Sequence, residues 1–324
     1  MKKFLCLLCL TILIAACDSK IKQNNSNNNI YKPEIAFSVD EKDLVPEGIT
    51  YDPQTKQFYL SSINKRKIIV VDKNGIHSDF IQPGQDGILR CLGLKVDLQR
   101  RRFWAVSNES GRSCVNIYNI DSGELINKFS LQSDVRHSFN DLVLTNNGNA
   151  YITDRAGNGI YFVPSQLNEL ELFIKSDSLL QLPNGISISP DNSILYVASH
   201  TKGILLIDIE NKSIQTIENW LLANIRGVDG MMLYNNSLVC IRSGDPDKSK
   251  HHITRYWLSK NGREIIKAEI IDHKNKMFDD PTTGVIIDNY LYCIAVTSLG
   301  VFAEGKMDQT DLLKNPVVLK YKLD

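Results

Sequence analysis

The sequence predicts an all-β fold, a six-bladed β-propeller closed by an N-terminal strand. Three observations support this prediction. Alternating runs of β-branched and aromatic residues cover most of the chain, and no long stretch with helical periodicity competes with them. One outline of paired strands recurs roughly every 45 residues, which is typical of propeller blades. The sixth repeat stops after three strands, and a spare strand stands at the other end of the domain.

Each repeat begins with a short residue pair, continues with an apolar strand and a polar turn, and enters a second strand. The six segments are EGITYDPQTKQFYLSS, LGLKVDLQRRRFWAVSN, NDLVLTNNGNAYITD, NGISISPDNSILYVASH, DGMMLYNNSLVCIRS and TGVIIDNYLYCIAVT. The second residues of the pairs are Gly48, Gly93, Asp141, Gly185, Gly230 and Gly284. Two further strands follow in the first five repeats, so each of these repeats contains a complete four-stranded blade.

The last blade needs a strand from elsewhere in the chain. Its third strand, PVVLKYKL, is followed only by the final aspartate, whereas EIAFSVD at 34–40 belongs to no other blade. Pairing these two segments would close the ring and remove two exposed sheet edges. Two stacked β-sandwiches would explain neither the period nor the incomplete repeat. We therefore expect one propeller over residues 34–324.

The N-terminus has the layout of an export signal. Two lysines precede the apolar run 4–13, which is too short to span a bilayer, and small residues then lead to Cys17. This ending resembles the lipobox of bacterial lipoproteins. We predict a lipoprotein signal peptide over 1–16, lipidation at Cys17 and a flexible Asn-rich tether over 17–33. The expected location is the bacterial cell envelope, lipid-anchored and extracytoplasmic, with either the inner or the outer membrane possible.

Charge and cysteine content narrow the possible partners. The 37 basic residues balance 37 acidic ones, and no basic block stands out, so nucleic acid is not an expected partner. We expect a monomer that takes a small-molecule substrate or ligand. The domain's cysteines are far apart and form no metal-binding spacing, so they are predicted to be buried and reduced. They are Cys91, Cys114, Cys240 and Cys293.

The residues before the six marker positions are expected to meet at the mouth of the central channel, because the first strand of each blade lines that channel. They are Glu47, Leu92, Asn140, Asn184, Asp229 and Thr283. Four of the six carry strong oxygen donors, two of them carboxylates, and this donor set suits Ca²⁺ better than zinc or copper. The alternative is that the Asn-Gly and Asp-Gly pairs are ordinary turns.

At these positions the sequence resembles the regucalcin–gluconolactonase family of six-bladed propellers, with paraoxonases and diisopropyl-fluorophosphatase as more distant relatives. The motifs that carry the resemblance are PEG at 46–48, FND at 139–141, PNG at 183–185 and DG at 229–230. The resemblance implies that Glu47, Asn184 and Asp229 bind Ca²⁺ or another divalent cation. Asn140 would be a fourth ligand or a substrate contact. It also implies hydrolysis of a lactone or related ester, with Asp229 as the general base.

Two positions depart from the family pattern. The regucalcin branch has an arginine where this chain has Ser138, and the paraoxonase branch has a histidine where this chain has Leu92. The ends of the second strands should also lie near the channel mouth, at Ser62, Asn108, Asp154, His200, Arg242 and Thr297. The substrate-pocket candidates come from the residues near Ser138, from these strand ends and from the channel mouth. They are Arg136, His137, His200, Arg242 and Thr283, although His200 and Arg242 would also suit a solvated loop.

The leading functional hypothesis is a metal-dependent hydrolase of a lactone or related ester. Two alternatives remain open at this stage. A phosphotriesterase-like hydrolase would use the same metal ring, and a non-catalytic propeller would bind a small ligand or a protein partner around a structural ion.

Overall fold

A computed structural model describes residues 31–221, 225–243 and 250–324. The predicted signal peptide, Cys17 and the tether up to residue 30 lie outside the described residues. The described residues form six four-stranded antiparallel sheets, and the prediction of a six-bladed propeller closed by an N-terminal strand is confirmed.

The strands of each blade follow one another along the chain from the inner to the outer edge. Blade one contains β2 (Ile49–Asp52), β3 (Gln57–Ser62), β4 (Lys67–Val71) and β5 (His77–Ile81). Blade two contains β6 (Arg90–Asp97), β7 (Arg102–Glu109), β8 (Arg112–Asn119) and β9 (Leu125–Leu131). Blade three contains β10 (Phe139–Leu144), β11 (Ala150–Asp154), β12 (Gly159–Val163) and β13 (Glu171–Lys175).

The remaining blades repeat this order, except that the last one takes its outer strand from the start of the domain. Blade four contains β14 (Pro183–Ile188), β15 (Ile194–Ser199), β16 (Gly203–Asp208) and β17 (Ile214–Thr216). Blade five contains β18 (Val228–Tyr234), β19 (Ser237–Arg242), β20 (His252–Leu258) and β21 (Ile265–His273). Blade six contains β22 (Gly284–Ile287), β23 (Tyr290–Val296), β24 (Val317–Lys322) and β1 (Glu34–Ser38).

Strand β1 closes the ring by pairing with β24. Glu34 lies opposite Lys320, and Ser38 lies opposite Val317. The Ser38 hydroxyl also donates to the carbonyl of Pro316 at 3.0 Å. Because β22 begins at the channel mouth and each later strand reverses direction, β1 starts and β24 ends at the opposite face of the propeller.

The hydrophobic core lies between neighbouring blades. Each of the six blade interfaces has its own buried apolar cluster, built from the facing sides of two sheets. Large aromatic side chains fill several of these interfaces, and Trp104, Tyr118, Tyr196 and Phe139 are almost completely buried. This sheet-to-sheet packing fixes the starts of the inner strands around one axis.

The cysteines are buried and unpaired, as expected: Cys91, Cys114, Cys240 and Cys293. Burial raises the pKa of the Cys91, Cys240 and Cys293 thiols, so these groups are held in the neutral form. Helical structure is scarce, and α1 (Leu299–Ala303), in the connection between β23 and β24, is the one α-helix of the described ranges. Among all the described residues, no helix has the length and apolar character needed to cross a membrane.

Candidate metal centre and cavity

The residues predicted to meet at the channel mouth lie in irregular backbone at the start of the inner strands. Leu92, Asn140, Asn184 and Asp229 each fall at a break in the pairing between the first and second strands of their blades. A β-bulge of this kind bends the strand and redirects a side chain. In blades two to five the short residue pairs of the sequence are therefore bulges at the axis rather than hairpin turns.

The glycines that follow these residues allow neighbouring inner strands to approach closely. A Cβ atom at Gly48 would lie 2.0 Å from the carbonyl oxygen of Leu92. A Cβ atom at Gly185 would lie 2.4 Å from the carbonyl oxygen of Asp229. Both separations are too short for any side chain, so glycine is required by the narrow channel itself.

Four oxygen-bearing side chains converge at this level and form what we call the axial ring: Glu47, Asn140, Asn184 and Asp229. Asn184 Nδ2 donates to Asp229 Oδ1 at 2.6 Å, and the Ser243 hydroxyl donates to Asp229 Oδ2 at 2.7 Å. Both oxygens of this carboxylate are therefore held in place by neighbouring side chains.

The ring concentrates negative charge in a desolvated space. Burial, followed by the charges of Asp229 and Asp141, raises the pKa of Glu47 well above its ordinary value, although Arg155 opposes the shift. Burial also raises the pKa of Asp229, against the effect of its hydrogen bonds from Ser243 and Asn184. Burial is the main cause of both shifts, and for Glu47 the neighbouring negative charges of Asp229 and Asp141 add to it.

This donor set fits a hard divalent cation. Two carboxylates and two amide oxygens are ligands that Ca²⁺ accepts, and an ion between them would relieve the repulsion described above. Among the described residues, no three His, Cys, Asp or Glu side chains group together as a metal site. The candidate site therefore depends on the amide oxygens of Asn140 and Asn184 as much as on the two carboxylates.

The axial ring separates two cavities. On the side of the connecting loops lies a cavity of about 800 Å³, large enough for a small-molecule ligand. On the channel side lies a chamber of about 20 Å³, lined in part by Asp141, Thr282 and Thr283. A chamber of this volume holds about one water molecule.

The larger cavity has one apolar side, which we call the apolar wall. It consists of Ile63, Leu92, Leu299, Val301 and Phe302. Leu92 and Ile63 are buried in a small cluster with Val45, and Leu299 and Phe302 from the α1 segment pack against that cluster. Leu92 thus supports the loop that covers this part of the cavity.

The opposite side, which we call the polar wall, comes from blades two to five. It consists of Asn108, Ser138, Arg155, His200 and Ser243. The half-buried Arg155 follows β11, and its backbone N–H donates to the carbonyl of Ser138 at 2.8 Å. Its charge acts on both ring carboxylates, Glu47 and Asp229, so the guanidinium lies within electrostatic reach of the axis.

A buried carboxylate anchors the turn that carries Arg155. Asp154 is completely buried, and its Oδ1 accepts from the backbone N–H groups of Ser138 at 2.8 Å and Gly157 at 3.0 Å. Its Oδ2 accepts from His137 Nδ1 at 2.5 Å. The bonds from Ser138 and His137 connect the loop before β10 to the end of β11, and the bond from Gly157 closes the turn after β11, so Ser138 and Arg155 lie side by side.

The structure brings together some of the predicted pocket residues and leaves others apart. His200 lines the large cavity, and Thr283 lines the small chamber. Arg136, His137 and Arg242 are not among the described residues that line either cavity. Arg136 is exposed, His137 is buried against Asp154, and Arg242 lies beside the turn at Gly227.

Sequence reasoning missed Arg155 and Ser243. Both directly follow residues that were taken as strand ends at the rim, Asp154 and Arg242. Successive side chains of a strand point to opposite faces. If the predicted end of a strand is wrong by one position, the prediction therefore names a residue that is buried or points away in place of the one that lines the cavity. A shift by one residue at these two strands would have found both, whereas Asn108 and His200 line the cavity at the positions that were predicted.

Comparison with known proteins identifies a family and a shared fold. Residues 45–245 match the family described as SMP-30/Gluconolactonase/LRE-like region. No curated protein sequence gives a match. A gluconolactonase from Xanthomonas campestris is structurally similar, with a TM-score of 0.64 at 13% identity over 91% of this chain and 90% of that one.

Two further structures are comparably similar. A calcium-binding protein, regucalcin, from Agrobacterium tumefaciens gives a TM-score of 0.61 at 15% identity, covering 90% of this chain and 93% of its own. A virginiamycin B lyase from Staphylococcus aureus gives 0.60 at 14% identity, covering 91% and 100%. At these identities the structural likeness establishes the fold alone.

Proposed function

The chain belongs to the SMP-30/gluconolactonase/LRE-like family, and from this premise we propose that it is a Ca²⁺-dependent hydrolase of a lactone or related ester. The family resemblance suggested by four short motifs is thereby confirmed. The observation that carries the proposal is the axial ring, which places two carboxylates and two amides on the floor of a ligand-sized cavity. The similar gluconolactonase and regucalcin support it further.

The proposed ligands of the cation are Glu47, Asn140, Asn184 and Asp229. When bound there, the cation would supply positive charge to stabilise the oxyanion that develops on the substrate carbonyl. Ser243 and Asn184 hold the Asp229 carboxylate in one orientation, as a ligand near a reacting water requires.

Asp229 has a second role in this proposal. It accepts a proton from the attacking water at one carboxylate oxygen while the water oxygen bonds to the acyl carbon. The acyl carbon–oxygen bond of the lactone or ester then breaks, and the same carboxylate returns the proton to the departing alkoxide. The apolar wall limits access of other water molecules to this side of the cavity.

The test is a calorimetric titration of the chelator-treated full chain with Ca²⁺, together with a hydrolysis screen of aliphatic lactones and aryl esters. We expect stoichiometric binding, and hydrolysis that chelator removes and Ca²⁺ restores. Asp229→Asn should weaken binding by roughly 100-fold, because ligand charge sets Ca²⁺ affinity. Asp280→Asn removes a charge from the same cavity outside the ring and should change affinity little.

Other outcomes would redirect the proposal. A folded protein that takes up no Ca²⁺ would rule out both the axial site and the hydrolase. Binding without hydrolysis of any lactone or ester would favour the non-catalytic propeller, and hydrolysis of phosphotriesters alone would favour the phosphotriesterase alternative.

We also propose that the protein is a lipid-anchored, extracytoplasmic monomer of the bacterial cell envelope. The support is the sequence around Cys17. Metabolic labelling with a palmitate analogue should mark the natural chain and leave Cys17→Ser unlabelled. Equal labelling of both chains would exclude this anchor.

A further inference from the structure

The charges around the large cavity are mostly paired with one another or with nearby side chains. Arg90 lies 3.3 Å from Glu109, Asp279 lies 3.3 Å from Lys314, and Glu304 lies 2.6 Å from Lys306. Asp280 lies 3.8 Å from His251. Once the pairs with lysine and arginine are set aside, the arginine and carboxylates that remain are Arg155, the two ring carboxylates Glu47 and Asp229, and Asp280, which has an ion-pair partner in His251 only when that histidine is protonated.

Arg155 differs from Arg90, the other arginine among the described residues that line the cavity, because its guanidinium makes no hydrogen bond or ion pair within the described residues. A half-buried guanidinium normally has a carboxylate or carbonyl partner, since its five donors lose water on burial. Here the backbone of Arg155 is held by Ser138 and its neighbour Asp154 is anchored by three bonds, while the head group faces the cavity. The side chain is thus placed rigidly at its base and left without a partner at its tip.

The charges nearest Arg155 also favour an anion. A divalent cation in the axial ring would balance Glu47 and Asp229, the two carboxylates on which the charge of Arg155 acts. A ligand that carries one negative charge would pair with this guanidinium and occupy its free donors.

Opposite Arg155, the apolar wall offers surface that a purely polar ligand would leave uncovered. Leu92 and Ile63 are buried by the cluster beneath them, but both still line the cavity, as does Phe302. A ligand with a hydrocarbon chain or ring could cover these side chains while its charged group reaches the polar wall.

We propose that the cavity takes an anionic amphiphile, with a carboxylate, sulfonate or phosphate group bound by Arg155 and a hydrocarbon portion packed on the apolar wall. This molecule is a substrate only if the protein has the hydrolase function proposed above. Arg155 is then the residue that makes the cavity prefer an anionic ligand. It lies beside Ser138 on blade three, and the small serine side chain leaves space for the charged group of the ligand.

The probes that test this are hexanesulfonate, 1-hexanol and ethanesulfonate, which separate charge from hydrocarbon. The protein is the full chain carrying Cys17→Ser, so that no lipid is attached, in saturating Ca²⁺. Calorimetry should show that hexanesulfonate binds more tightly than either of the other two probes. Arg155→Gln should weaken hexanesulfonate binding by roughly tenfold or more, because a charge-assisted hydrogen bond is lost. Arg155→Lys should retain part of the affinity, since the charge remains.

Two comparisons make the result specific to Arg155. Arg112→Gln removes an exposed arginine from the neighbouring blade and should leave hexanesulfonate binding unchanged. The same Arg155→Gln protein should bind 1-hexanol as the parent protein does.

The proposal fails if hexanesulfonate does not bind, or if Arg155→Gln binds it as tightly as Arg112→Gln does. It also fails if Arg155→Gln raises Ca²⁺ affinity and leaves the affinity for hexanesulfonate unchanged. Arg155 would then serve only to balance the charge of Glu47 and Asp229 when no cation is bound. Failure of the hydrolase function looks different: hexanesulfonate would still bind in an Arg155-dependent way, while no lactone or ester would be cleaved. Conversely, Ca²⁺-dependent cleavage of neutral lactones with no sulfonate binding would reject the anion site alone.

Discussion

The two walls of the large cavity are built in different ways. The polar wall comes from loops that are tied to the strands by hydrogen bonds, and the buried Asp154 carboxylate with its three donors is the central example. The apolar wall comes from the α1 segment, which lies on a small cluster of Val45, Ile63 and Leu92. The side chains of the apolar wall contact one another by packing alone, although the backbone at the start of α1 is fixed by a bond from the Leu299 N–H to the Thr297 hydroxyl at 3.1 Å.

This difference assigns separate tasks to the two walls. Directional bonds hold the backbone of Arg155 and the carboxylate of Asp229 in place, as a charged group and a metal ligand require. Packing without directional bonds tolerates changes of shape, so the apolar wall is suited to hydrocarbon of variable form. Substitutions should therefore disturb the polar wall through single bonds and the apolar wall through buried surface.

The largest effect is expected for Asp154→Ala. The change leaves the buried His137 ring and the half-buried backbone N–H groups of Ser138 and Gly157 without their acceptor, and should lower the free energy of unfolding by about 2–4 kcal/mol. Urea unfolding measures the loss. Asp154→Asn keeps an oxygen for both N–H groups and should cost much less. Equal losses for the two variants would mean that the charge, rather than these bonds, stabilises the wall.

Introducing a polar group into the apolar wall tests the other half of the comparison. Leu92→Asn removes apolar contacts with Val45 and Ile63 and buries an amide, so it should lower the free energy of unfolding by about 1–3 kcal/mol. Leu98→Asn, at a leucine that is 48% exposed on the same blade, is the control. If both variants unfold at the same urea concentration, Leu92 does not support the wall as described.

A smaller effect is expected for Ser243→Ala. Loss of the hydroxyl that donates to Asp229 Oδ2 should weaken Ca²⁺ binding by roughly tenfold, as for other groups that orient a metal ligand. Stability should change little, and calorimetry measures the affinity. Ser243→Thr retains a hydroxyl and should keep most of the affinity. Unchanged binding in Ser243→Ala would show that Asp229 needs no such orientation.

The smallest effect is expected for Phe302→Ala. It removes part of the apolar wall, so the affinity advantage of hexanesulfonate over ethanesulfonate should shrink by about three- to tenfold, from the hydrocarbon area lost. Leu312→Ala lies in the same connection between β23 and β24 at a 44% exposed position and should leave that advantage intact. A reduced affinity for ethanesulfonate as well would place Phe302 in the recognition of charge instead.

Sequence reasoning was successful where the propeller repeats itself. The interval between residue pairs predicted six blades, the closing strand and the convergence of Glu47, Asn140, Asn184 and Asp229, because each blade places equivalent positions at the axis. It failed at Arg155 and Ser243, where an error of one position in a strand end changes the direction of the side chain. It also could not identify the α1 segment as a wall, because that excursion occurs once and has no counterpart in the other blades.

The pairing of β1 with β24 has a consequence for how the molecule is made. The bond from Ser38 to Pro316 joins residues that are 278 positions apart in the chain. Ribosomes release the N-terminus first, so β1 leaves the exit tunnel long before its partner has been synthesised. Contacts across such a separation are entropically expensive to form and are expected late in folding. Until β24 arrives, the newborn chain exposes an unpaired strand that could pair with a neighbour, so its handling during synthesis should matter as much as its final stability.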